Sequence, residues 1–253
     1  MGGSIKLFRY IYFIYAAVCF IIIMLLIFPF VIFSLILNEK RRGDFIYWLC
    51  KCWALVWYVC IGVKHEDIFE ATCTDHAKIY IGNHISYMDI PALVRSMRGS
   101  YRVLGKYEMV HYPIFGLIYR AAVVLVNRND AEHRAKSVEK LKSTLQQKIS
   151  IVIFPEGTFN EDLTQPLKSF YDGAFRIAIE TQTNILPFIF IDTIDRFNSK
   201  SITSFSPGKS RVVYLPEINV QVYNMAQLNE LKNHVYNTMD AALRRYRTYP
   251  LKA

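Results

Sequence analysis

Two long apolar runs open the chain, and behind them short apolar segments alternate with amphipathic ones. Tyr10 to Leu37 carries no charged residue; Lys6 and Arg9 precede it, and Glu39-Lys40-Arg41-Arg42 closes it. About 20 apolar residues span a bilayer, so this run predicts a spanning or deeply inserted helix, with Pro29 as a candidate kink. It is too long for a signal-peptide core, and no small-residue cleavage site follows it. A second run, Phe45 to Val63, is interrupted by Lys51 and contains Trp48, Trp53, Trp57 and Tyr58. Aromatics with a snorkelling lysine predict a helix at the membrane interface.

From about residue 65 the period changes. Short apolar segments at Ile79–Ile81, Arg102–Leu104, Val123–Val126, Ile149–Phe154, Leu186–Ile191 and Arg211–Leu215 read as strands. Helical stretches are predicted near Met88–Arg98, Pro113–Arg120, Ala131–Gln147 and Gly173–Thr181. A last helix, Ala226–Tyr246, gathers Leu228, Leu231, Val235, Met239 and Ala242 on one face. This alternation predicts an α/β fold: a central mixed sheet flanked by helices, behind an N-terminal membrane-anchoring two-helix segment. The expected division is 1–64 for the anchor and 65–253 for the domain that carries chemistry.

Composition agrees with a membrane-anchored chain. Hydrophobic residues make up 53% and aromatics 15%, concentrated in the first quarter. The formal charge is +9. Up to Lys64, the basic residues Lys6, Arg9, Lys40, Arg41, Arg42, Lys51 and Lys64 face only Glu39 and Asp44. Basic flanks suit an anionic membrane surface, each residue contributing about 1 kcal/mol close to it. Nucleic acid is not an expected partner, because no recognition helix, zinc-finger spacing or RNA-binding strand motif is present. The cysteines Cys19, Cys50, Cys52, Cys60 and Cys73 have no metal-site spacing and suit a reduced, cytosol-facing protein. No metal is expected, since the six histidines are scattered with no two within five positions.

Two constellations carry candidate chemistry. In Gly82-Asn83-His84-Ile85-Ser86-Tyr87-Met88-Asp89, a histidine leaves a short strand and an aspartate begins a helix. With His84 in the loop and Asp89 in the first helical turn, the carboxylate could reach back to the imidazole as in a His-Asp dyad. A structural alternative makes Asp89 a helix cap. The second, Phe154-Pro155-Glu156-Gly157-Thr158-Phe159, follows a predicted strand, where α/β folds place ligands. Glu156 could bond acceptor hydroxyls and amides near Gly157 could bind an anion; alternatively Gly157 serves a strand exit that needs positive φ.

Taken together, Asn83-His84-xxxx-Asp89 and, 72 positions after His84, Phe-Pro-Glu-Gly-Thr resemble the glycerolipid acyltransferase family that includes 1-acylglycerol-3-phosphate acyltransferases. Ala122–Arg128 is similar to the family's second motif, Leu186-Pro187-Phe188 to its fourth, and Lys168–Ala174 to the lysine-containing turn after its third. The resemblance implies His84 as general base, with Asp89 as its orienting partner. It also implies an acceptor site drawn from Asn83, Arg128, Glu156, Gly157, Thr158 and Lys168, with Arg128 on a phosphate. Ser86 and Cys73 are read as bystanders. The implied reaction moves an acyl group from a thioester to the sn-2 hydroxyl of lysophosphatidate, giving phosphatidate in phospholipid biosynthesis, with no covalent acyl-enzyme. The donor would be a thioester of acyl carrier protein or coenzyme A, with no other cofactor; the implied location is a bacterial inner membrane, with the catalytic domain facing the cytoplasm.

One position departs from the family pattern. Where the third motif usually continues with an arginine that assists phosphate binding, this chain has Phe159, which cannot pair with phosphate. Lys106, Arg120, Arg128 or Lys168 could supply the charge, or the acceptor could be another lysolipid, such as an acylated amino-acid lipid. Two further readings are a metal-dependent hydrolase and a non-catalytic membrane lipid-binding module.

Overall fold

The computed structural model describes residues 2–72, 74–112, 114–127, 130–198 and 200–251, without the side chains of residues 2–6 and 131. Its contacts divide the chain into two compact units. The first comprises Met1–Ile68, Ile85–Met97 and Phe190–Val212; the second comprises Phe69–His84, Arg98–Ile189 and Val213–Ala253.

In the first unit, helix α1 (Gly2–Ser34) runs unbroken through Pro29. Its Leu7–Ser34 stretch is long and apolar enough, by length and composition, to cross a membrane. Asn38 caps helix α2 (Glu39–Cys60), accepting from the Arg41 amide at 3.0 Å. Three of the four aromatics singled out in α2 are packed against protein. Trp53, Trp57 and Tyr58 are buried, and Trp48 alone of the four is exposed. Phe20 of α1 meets Trp53 and Trp57 edge-on at 4.8 and 5.4 Å, and Trp57 donates its indole N–H to the Ala16 carbonyl at 2.9 Å. Here the rings bury apolar area against protein rather than lipid. Lys51 is likewise diverted: its ammonium donates at 3.0 Å to the carbonyl of Met97, the residue that ends helix α3 (Asp89–Ser96). A cation there complements the helix's negative end.

Strand β1 (Val63–Phe69) was not legible in the sequence, since Lys64, His65, Glu66 and Asp67 break any apolar alternation. The topology explains this, because β1 is an edge strand, where charge discourages further pairing. The others follow the predicted pattern: β2 (Ile79–Gly82), β3 (Tyr101–Lys106), β4 (Val124–Val126), β5 (Ser150–Ile153), β6 (Ile185–Phe190) and β7 (Gly208–Tyr214). Among the described residues these seven form one sheet in the order β1-β7-β6-β2-β5-β3-β4. The pairs β2–β5, β2–β6, β3–β5 and β3–β4 are parallel. Bonds from Ile191 N–H to the Arg211 carbonyl and from Leu215 N–H to the Pro187 carbonyl run β6 and β7 antiparallel, so the sheet is mixed. Central strands of a parallel array are covered on both faces, which is why β6 and, apart from Ser150, β5 read as apolar runs and are buried throughout.

Helices α4 (Phe115–Ala122), α5 (Ala131–Gln146), α6 (Gly173–Thr181) and α8 (Leu228–Tyr246) belong to the second unit; the short α7 (Thr193–Arg196) belongs to the first. In the second unit Ile79, Ile151, Val152, Ile185 and Phe188 from the strands are fully buried, as are Phe175 of α6 and Leu231, Val235 and Met239 of α8. Truncating any of these to alanine removes contacts worth about 2–5 kcal/mol.

Candidate active site

The register of two neighbouring strands explains the 72-residue spacing of the sequence motifs. Ile79, Tyr80 and Ile81 of β2 lie opposite Ile151, Val152 and Ile153 of β5, in parallel. Three residues beyond each strand's last paired position come His84 and Glu156, both past the carboxyl ends of central strands, where α/β folds place their ligands. Gly82 lets β2 finish there: a Cβ on it would stand 2.4 Å from the Phe188 ring.

His84 is gripped from several sides within the second unit. Its amide donates to Glu156 Oε1 at 2.8 Å, and its carbonyl accepts from the Asn160 amide at 2.7 Å. Its imidazole stacks on the Phe154 ring at 4.5 Å, with an interplanar angle of 17°, and meets Phe159 edge-on at 4.3 Å. His84 itself is half-buried while its frame is buried: Asn83 and Glu156 are each 2% exposed. A partly accessible imidazole on a rigid backbone is what a general base requires.

Glu156 holds this arrangement together. While Oε1 takes the His84 amide, Oε2 takes the Lys168 amide at 2.8 Å. The carboxylate therefore ties the exit of β2 to the segment before α6. The expectation that Glu156 contacts acceptor hydroxyls meets a side chain already engaged with backbone. Gly157 adopts φ 76°, a conformation that favours glycine, and its amide donates to the Phe154 carbonyl at 3.1 Å. Beside it, exposed Thr158 accepts from the Lys168 ammonium at 2.7 Å.

In the first unit Asp89 is the opening residue of α3 and is fully buried. Its Oδ2 accepts from the amides of Ile85 and Ser86, at 2.7 and 2.9 Å. The carboxylate thus fixes the turn that directly follows His84. Ser86, also fully buried, is more than a turn residue: its hydroxyl accepts from the Met88 amide at 3.1 Å and donates to the Phe197 carbonyl at 2.6 Å.

The basic residues considered for phosphate have varied fates. Lys168 pairs with Thr158, exposed Lys106 stands 3.4 Å from Glu108, and Arg120 is exposed on α4. Arg128 and Cys73 lie outside the described residues. Cys19, Cys50, Cys52 and Cys60 are free thiols. Among the described residues, no group of three His, Cys, Asp or Glu side chains is placed to hold a metal ion. Asn160 was not singled out from the sequence, although it stands in the polar stretch after Phe159; Phe154 and Ser86 were named there, but without the contacts they make to His84 and Phe197.

Comparison with known proteins bears on this geometry. Residues 62–191 match the family model described as Acyltransferase. A chloroplastic 1-acyl-sn-glycerol-3-phosphate acyltransferase of Arabidopsis thaliana is 26% identical over 227 residues, 89% of this chain and 62% of the plant protein. A 1-acyl-sn-glycerol-3-phosphate acyltransferase of Cocos nucifera is 29% identical over 157 residues, 60% of this chain and 49% of that protein. The chain thus spans between about half and three-fifths of these relatives' length. The crystal structure of the 1-acyl-sn-glycerophosphate acyltransferase PlsC from Thermotoga maritima superposes with a TM-score of 0.75, at 19% identity and with both chains fully covered, so the two share a fold.

Proposed function

The chain belongs to the Acyltransferase family, and on that premise we propose that it moves a fatty acyl group from a thioester to the sn-2 hydroxyl of lysophosphatidate, giving phosphatidate. The observation that carries this reading is the half-buried His84, clamped by residues 154–160 beyond the ends of β2 and β5. In the proposed reaction His84 accepts the proton of the acceptor hydroxyl as its oxygen attacks the thioester carbonyl. Collapse of the tetrahedral intermediate breaks the C–S bond, and the departing thiolate takes the proton back from the imidazolium. The products are an ester and a free thiol. Asp89, which fixes the turn after His84, is proposed to steady the positive charge that develops on the ring.

Acceptor contacts are proposed for Asn83, Gly157, Thr158, Lys168 and Arg128, with Glu156 acting through the backbone it holds. Donors to be tested are acyl carrier protein and coenzyme A thioesters. Membrane association is supported by α1, and free thiols suit a catalytic face on the cytoplasmic side of a bacterial inner membrane. Phe159 favours a second reading: an aromatic ring against His84 offers no charge to a phosphomonoester, so another lysolipid could be the acceptor. Acceptor competition in detergent tests the two. Preference for lysophosphatidate over a phosphate-free lysolipid of equal chain length supports the first reading, and the reverse preference supports the second.

A further inference from the structure

Ser86 links the turn that carries Asp89 to a distant loop, and that loop rests on helix α1. Its hydroxyl, wholly buried, donates at 2.6 Å to the carbonyl of Phe197, 111 residues away in sequence and just past α7. The acceptor carbonyl is itself held in place. The Phe197 amide donates to the Thr193 carbonyl, the Asn198 amide to the Ser204 hydroxyl at 2.8 Å, and the Ser206 amide to the Arg196 carbonyl at 2.9 Å, closing the loop on itself. The ring of Phe197 then makes a chain of aromatic contacts: Tyr87 at 6.2 Å, Phe205 at 5.4 Å and Phe13 of α1 at 6.0 Å. Buried Phe205 also meets Phe13, at 6.1 Å, and Tyr12, at 5.7 Å. All of these residues belong to the first unit.

We propose that Ser86 is a positioning residue through which the seating of α1, by way of Phe13 and Phe197, sets the geometry of the Asp89 turn. On this account α1 contributes to the rate of the chemical step as well as to anchoring. The physical argument is that the turn is defined by few bonds. Asp89 Oδ2 takes two amides, and the Ser86 hydroxyl provides its tie to the loop at Phe197. Without that hydroxyl, the Met88 amide and the Phe197 carbonyl lose a shared partner, and the turn is free to shift. Misplacement of a catalytic group by about an ångström can cost two orders of magnitude in rate. The inference rests on His84 and Asp89 being the catalytic pair.

The test uses the full-length protein in detergent micelles with a labelled acyl thioester and lysophosphatidate. The variants are Ser86→Ala, Phe13→Leu, their double mutant, His84→Ala and, on an exposed part of α1, Leu26→Ala. Ser86→Ala is expected to lower kcat about tenfold with the lysolipid KM unchanged. Phe13→Leu, which keeps the position apolar, is expected to lower kcat severalfold. The double mutant should be no slower than Ser86→Ala alone, because the two act along one path. Leu26→Ala should behave as wild type. Thermal melting of each variant separates loss of fold from loss of rate. Wild-type kcat in Ser86→Ala, or additive effects in the double mutant, while His84→Ala abolishes turnover, would overturn this proposal alone. An active His84→Ala would overturn the reading beneath it, and this proposal with it.

Discussion

Glu156 accepts two backbone amides from opposite sides, and its chemistry follows from that position. Glu156→Gln would turn an amide NH2 towards one of those N–H donors, leaving a buried donor without its acceptor. The expected loss is about 1–3 kcal/mol in denaturant unfolding, together with a fall in kcat. An increase in acceptor KM with stability intact would instead favour direct substrate binding by Glu156. A second carboxylate reports through pH. Burial tends to raise the Glu217 carboxyl, but hydrogen bonds from Asn184 and Thr74, with the nearby Lys78 ammonium, outweigh it and leave the pKa below its ordinary 4.5. A depressed carboxylate adds stability above its unfolded value, and this is lost as pH falls through the folded one. Melting temperature should therefore drop on acidification below about pH 4.5, with a shallower acid limb in Glu217→Gln; identical limbs would contradict this. His84 and Glu156 were legible in the sequence because each follows a short apolar strand. The packing of Phe159 and the reach of Ser86 were not, since a loop residue's neighbours depend on segments far along the chain.

At the scale of elements, apolar runs were legible and their partners were not. The pattern of β2, β5 and β6 announces strands because both faces are covered, whereas the charged edge strand β1 gives no such signal. Helix α2 shows how one sequence pattern can serve packing within the protein as well as a surface. Its tryptophans and Lys51 suggest a membrane interface, yet Trp53 and Trp57 pack within the first unit and Lys51 caps α3. Lys51→Met is therefore expected to lower stability by about 1 kcal/mol, measured by thermal or denaturant unfolding, with vesicle binding unchanged. Weaker vesicle binding at unchanged stability would restore the interfacial role.

For the whole molecule, residues 1–64 fall inside a compact unit that also takes in 85–97 and 190–212. The helices that the sequence assigns to anchoring thus share a unit with the buried turn at Asp89. A fragment beginning at residue 65 keeps α3 but loses the buried residues of α2, among them Ile46, Leu49, Ala54 and Trp57. It is expected to lack a cooperative thermal transition by circular dichroism; a fragment that melts cooperatively and retains activity would contradict this. The α/β class and mixed sheet follow from periodicity, whereas the interleaving of three chain segments in one unit depends on long-range packing that local pattern does not record.

The most direct test of the central claim is acyl transfer by purified wild type and His84→Ala in detergent. Both are given a labelled acyl thioester with lysophosphatidate, and in parallel with a phosphate-free lysolipid. Wild type is expected to form phosphatidate, and His84→Ala to be slower by at least about a hundredfold with an unchanged melting temperature. Equal rates in the two proteins, or no ester from either acceptor with wild type, would contradict the account.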